Sequence, residues 1–164
     1  MTASDDPLST LRTRLTEARA HLLEAVTGLT ERDFAAPLDG APNAAGEPET
    51  VVGLLASLVA AEYEAVRRAR AAVPTLDARP VRTAAGEPPS RILPPQVVHG
   101  LAGARHETGL LLAAIESIAN LPDTLDSPLE GADDQPETTV RSLLEAIARR
   151  EDEAAQRIRA RPGR

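Results

Sequence analysis

The sequence predicts an all-α fold, a four-helix bundle, on three observations. Apolar residues recur at spacings of three and four in four separate segments. Three connections rich in proline or glycine divide those segments, the longest carrying six prolines from Pro74 to Pro95. No segment is convincing as a strand. The chain also echoes itself: PETVVGLLASLVAAEYEA from Pro48 and PETTVRSLLEAIARREDEA from Pro136 align with one extra threonine in the second copy. Each copy opens an amphipathic helix. With 164 residues, the chain suffices for one compact domain that removes about 70% of its unfolded surface from water.

The first helix is expected over about 7–29. Asp6 is a good N-cap before Pro7, whose missing N–H costs nothing at a first turn. The apolar seam reads Leu8, Leu11, Leu15, Ala18, Leu22, Val26, Leu29, and Gly28 marks its end. A short turn at Thr30 to Phe34 and the loop LDGAPNAAGEP lead to the second helix, about 48–73. Its seam is Val51, Leu55, Leu58, Glu62, Ala65, Ala69. The proline-rich stretch from Pro74 to Pro95 is then a long crossover or lid, which frees helices 2 and 3 from running antiparallel. The third helix, about 95–120, has the seam Val98, Leu101, Arg105, Thr108, Leu112, Ile115. After the acidic loop LPDTLDSPLEGADDQP, the fourth helix runs over about 137–160, with Val140, Leu144, Ile147, Glu151, Ala154 and Ile158 in line.

Composition removes several functions. Phe34 and Tyr63 are the only Phe, Tyr or Trp residues, so close helix packing must supply stability and base stacking cannot be a main activity. A net charge of −7 repels phosphate backbones and anionic lipid surfaces, which argues against nucleic-acid and membrane partners. All eighteen basic residues are arginine, in keeping with a GC-rich coding bias. Without cysteine there is no disulfide, thiolate ligand or cysteine nucleophile. The longest strongly apolar run, Leu54 to Ala61, is far short of a bilayer span, and the acidic N-terminus lacks a basic signal region, so a soluble cytoplasmic protein is expected.

The seams contain residues that do not belong in a core. Glu62 and Glu151 lie mid-stripe, where an ionised carboxylate is costly unless paired. Arg105 occupies a core position on helix 3 and is the natural partner of Glu62, while Arg150 sits one position off the helix 4 line. These four side chains are expected to form a paired network, unless they reach past the seam to solvent.

Several patterns taken together resemble the DinB/YfiT-like superfamily, whose members include metal-dependent thiol S-transferases and mycothiol-dependent isomerases. They are a first helix ending GLTERDF, a Thr-Val-x-x-Leu-Leu entry at Thr50 to Leu55, the pair Ala104–Arg105, and the entry TTVRSLLEAI. The resemblance implies a four-helix bundle with three histidine metal ligands, one on helix 2 and two spaced by four on helix 4. The matching positions here are Ser57, Arg150 and Ala154, and Glu49 stands where the family carries tryptophan. The triad is thus absent, no metal cofactor is expected, and the metal-dependent activity is expected to be lost, with Arg150 supplying positive charge where the family puts a cation.

His21, His99 and His106 do not repair that loss. His99 and His106 are seven apart, close in angle but about 10 Å apart along a helix axis. They lie beside Gly103, Gly109 and Ala113, a small-residue face that suits close helix approach or subunit contact. A displaced metal site built from His106, Glu107 or Glu62 is the alternative arrangement. No Gly-rich phosphate loop follows a strand, and Ser57 with a histidine lacks a nucleophile elbow. The Glu62 and Glu151 pair matches a glycosidase only in residue type. The expected function is a non-catalytic, stress-associated module that binds a small ligand or dimerises. The alternative is a bacillithiol- or mycothiol-dependent transferase or isomerase carrying zinc or nickel.

Overall fold

The computed structural model describes residues 6–40, 42–43, 45–73, 94–118, 121–130 and 137–161. Within them the chain is all-α. Four long helices, α1 (Pro7–Val26), α3 (Val51–Ala72), α4 (Pro94–Glu116) and α6 (Val140–Arg159), are joined by the five-residue helices α2 (Glu31–Ala35) and α5 (Leu121–Leu125).

Local chemistry sets the boundaries. The Asp6 carboxylate accepts from the Leu8 N–H at 3.1 Å, with Pro7 at the first helical position. α1 stops at Val26 rather than 29, because Gly28 turns left-handed at φ +79° and folds the half-buried Leu29 back onto the core. The turn expected after it is the helix α2. Its Thr30 hydroxyl caps the Asp33 N–H, and the Asp33 carboxylate accepts in return from the Thr30 N–H at 2.8 Å. The Thr30 N–H foremost, and then the Thr30 hydroxyl donating to the same carboxylate at 2.7 Å, hold the Asp33 carboxyl below the usual range.

α3 begins at Val51 and α6 at Val140, each later than expected, because a capping threonine sets the start: that of the PET motif in the first copy and the extra threonine after it in the second. Thr50 accepts from the Gly53 N–H at 3.1 Å and Thr139 from the Ser142 N–H at 3.2 Å. The acidic loop expected before α6 contains α5, and its Leu125 and Leu129 are buried. The α4 seam is rotated from the expected one. Val97 is buried and Val98 is 39% exposed, so the stripe runs through 97, 101, 104, 108, 111 and 115. The seams of α3 and α6 are buried throughout, as their spacing requires.

The echo in the sequence extends to the fold. Ahead of α3, Pro37 bridges to Thr50 and the Leu38 N–H donates to Glu49 O at 2.7 Å. Ahead of α6, Pro128 bridges to Thr139 and the Leu129 N–H donates to Thr138 O at 3.0 Å. Both leucines are buried. Each half is therefore a long helix, a five-residue helix, a Pro-Leu step with its leucine buried and a threonine-capped long helix.

Packing fixes the directions. α1 packs most extensively on α6, and α3 on α4. α1 and α6 run parallel, since Arg19 meets Glu151 while Glu24 meets Arg159. α3 and α4 also run parallel, with Val59 against Gly100 and Tyr63 against Gly103. That arrangement agrees with the freedom expected of the connection between them, although residues 74–93, where the crossover was expected, lie outside the described residues. Two apolar clusters fill the interior. One joins Leu8–Ala18, Ala65–Val73, Leu111–Ile115 and Val140–Ala148, and the other joins Leu22–Val26, Val51–Leu58, Val97–Leu101 and Ala154–Ile158.

Candidate functional site

Between the two apolar clusters lies a layer of charge, one residue from each long helix: Arg19, Glu62, Arg105 and Glu151. Glu62 and Glu151 are 2% and 1% exposed and Arg19 is 9% exposed. Arg19 Nη2 donates to Glu62 Oε2 and to Glu151 Oε1, each at 2.6 Å, and its Nε donates to Glu151 Oε1 at 3.0 Å. Arg105 Nη2 donates to both oxygens of Glu151 at 2.8 and 2.9 Å. Its Nε lies 2.9 Å from Glu62 Oε1 but outside hydrogen-bond alignment. The Thr108 hydroxyl donates to Glu62 Oε1 at 2.7 Å.

The arrangement is reciprocal. Arg19 Nη1 donates to the Leu101 carbonyl, four residues before Arg105, and Arg105 Nη1 donates to the Leu15 carbonyl, four residues before Arg19. Each arginine meets both glutamates. A two-fold relation between α1–α3 and α4–α6 requires this pattern. Two cations and two anions cancel, which is the condition for holding four charges in a layer of low dielectric. The carboxylates are fully engaged, so neither is positioned as a free acid or base.

The expected network of Glu62, Arg105 and Glu151 is present, with two corrections. Arg150 does not belong to it: its Nη2 turns to the buried Glu137, donating at 3.1 Å, and Arg149 shares the same oxygen at 3.3 Å. A neutral quartet has no need of a third cation. Arg19 supplies the fourth member instead, and the sequence carried a signal for it. Leu-x-x-Ala-Arg occurs at Leu15–Arg19 and again at Leu101–Arg105, and the run Leu15, Arg19, Leu22, Val26 is itself a helical stripe.

Ser57, Arg150 and Ala154 do meet. They line one groove of about 320 Å³ between α3 and α6, floored by Leu54, Leu58 and Ala61. The Ser57 hydroxyl donates to the Leu54 carbonyl of its own helix at 2.7 Å. A hydroxyl already committed, a guanidinium and a methyl group do not fit zinc or nickel, which want imidazole, thiolate or carboxylate. The histidines stand apart from this groove: His21 Nδ1 is 3.0 Å from Asp152 Oδ1, and His99 and His106 are exposed on α4. Among the described residues, no three His, Cys, Asp or Glu side chains group as a metal site would. The small-residue face of α4 is divided. Gly100 and Gly103 receive Val59 and Tyr63 of α3, while nothing packs within 4 Å of the Cβ position of Gly109. No helix among the described residues is long and apolar enough to cross a membrane.

No protein-family model, curated protein or solved structure matches the chain.

Proposed function

We propose that the protein is a non-catalytic four-helix bundle of DinB/YfiT-like type, which has lost metal-dependent chemistry and serves as a small-ligand-binding or dimerisation module. One observation carries the reading. The three positions that the resemblance assigns to metal ligands converge in a single groove, and together they offer no nitrogen donor to a transition metal. Glu62 and Glu151, the glutamates at the centre of the bundle, are held by Arg19 and Arg105. Association with stress rests on the resemblance alone, and a homodimer rests on the resemblance together with the exposed part of the α4 small-residue face.

Elemental analysis of the purified chain, paired with a thiol-conjugation assay against an electrophile, tests the loss of chemistry. The expected result is no stoichiometric zinc or nickel and no thiol consumption above the uncatalysed rate. Bound metal together with turnover would establish the thiol-dependent transferase or isomerase instead. Light scattering tests the dimer, and a mass equal to one chain would remove it.

A further inference from the structure

We infer that the α3/α6 groove is a binding site for a small organic monoanion, a carboxylate carrying a short apolar body. The inference rests on the small-ligand reading above and names the ligand class. The floor of Leu54, Leu58, Ala61 and Ala154 is apolar, and the lining adds two guanidiniums, Arg150 and Arg157, against one carboxylate, Glu153. Just outside the lining Arg157 also meets Glu49 at 3.2 Å and Arg150 meets Glu137 at 3.1 Å, so the groove offers guanidinium donors without a net positive charge, and Arg157 Nη2 is buried with no hydrogen-bond partner among the described residues. At about 320 Å³ the groove lies at the small end of small-molecule sites.

The internal repeat acts as a control. With Thr50 matched to Thr139 and Glu62 to Glu151, Ser57 corresponds to Ala146 and Arg150 to Ala61. A packing role common to both halves would be served by alanine at each of these positions. The polar members of both pairs instead line the same groove, with Ala61 beside them. Arg150 spends one Nη2 contact on Glu137, which also receives Arg149, and its side chain remains 38% exposed. It therefore keeps donors for a carboxylate, and a carboxylate bound by guanidinium is among the stronger pairings available at a partly dry site. The apolar floor favours an organic body over an inorganic ion. The carboxylates already at or beside the groove, Glu49, Glu137 and Glu153, disfavour a dianion.

Isothermal titration calorimetry of the full chain tests this with hexanoate, 1-hexanol, hexylamine and inorganic phosphate. Hexanoate is expected to bind about tenfold or more tightly than each of the other three. Arg150→Gln should weaken hexanoate about tenfold and Ala61→Phe should abolish binding by filling the floor, whereas Arg141→Gln, which pairs with Asp126 and does not line the groove, should stay within about twofold. Should either groove variant fail to fold, backbone amide shifts of the unaltered protein with hexanoate decide, and the largest are expected at Ser57, Ala61 and Arg150. Hexanoate that binds no tighter than hexanol or phosphate, that is indifferent to Arg150→Gln in a folded variant, that shifts amides elsewhere, or that does not bind overturns the inference. None of these results touches metal content or thiol turnover, so the loss of metal chemistry is judged by its own assay.

Discussion

A carboxylate at the centre of a helical core is tolerated only through its partners, and Glu62 shows how many it takes. It is held by Arg19 and Thr108 through hydrogen bonds and by Arg105 through an ion-pair contact. Glu62→Ala strips the layer of one anion and leaves Arg19 and Arg105 sharing Glu151, so it should destabilise the protein by about 3–5 kcal/mol in chemical denaturation. Replacing Arg19 and Glu62 together by Met and Leu should cost less than the two single changes summed, because a neutral Arg105–Glu151 pair remains. An additive double mutant would show that the pair is not coupled. The sequence disclosed three of the four members because glutamate and arginine interrupt otherwise apolar stripes at Glu62, Arg105 and Glu151. Arg19 escaped because its neighbour Ala18 also fits the α1 stripe, and apolar periodicity alone favours the alanine. Arg150 misled for the opposite reason: lying one position from the seam, it could reach either the quartet or Glu137, and side-chain reach is not written in spacing.

At the level of helices, caps and glycines carry the testable detail. The Asp33 carboxyl is depressed by its bonds to Thr30, so the ionised form stabilises the folded state above the unfolded pKa, and that stabilisation is lost as pH falls through the folded pKa. The gap in urea midpoint between the unaltered protein and Asp33→Asn should accordingly be present near neutrality and close in acid; a gap that widens in acid would refute the assignment. α4 offers a matched pair of glycines. Gly109→Ala, with nothing within 4 Å of the new methyl, should stabilise by about 0.5–1 kcal/mol in thermal or urea denaturation. Gly103→Ala should gain less or lose, because its Cβ would stand 2.9 Å from the Tyr63 hydroxyl oxygen. Periodicity located all four long helices, and every residue it assigned to the α3 and α6 seams is buried, although it left out buried neighbours such as Leu54, Val66, Leu143 and Ala155. It missed α2 and α5 because helices of five residues are too short to show a period. It placed α4 one residue out at Val97 and Val98 because adjacent valines satisfy either register.

Across the whole molecule, the repeated half explains why a chain with so few rings holds together. Each half carries one Pro-Leu step with a buried leucine and one threonine-capped helix. The halves lock through arginines that each reach a carbonyl of the opposite half. The loss of symmetry at Ser57 and Arg150 then stands out as a departure that packing does not require, and it gives the groove its chemistry.

The dominant contact of the fold, α1 against α6, joins helices at opposite ends of the described chain. In chain order Arg19, Glu62 and Arg105 all precede Glu151, so without α6 the central layer holds two guanidiniums and one carboxylate. The charge of the layer is balanced only once α6 brings Glu151 to it, which ties neutrality of the interior to the pairing of the two most distant long helices of the described chain.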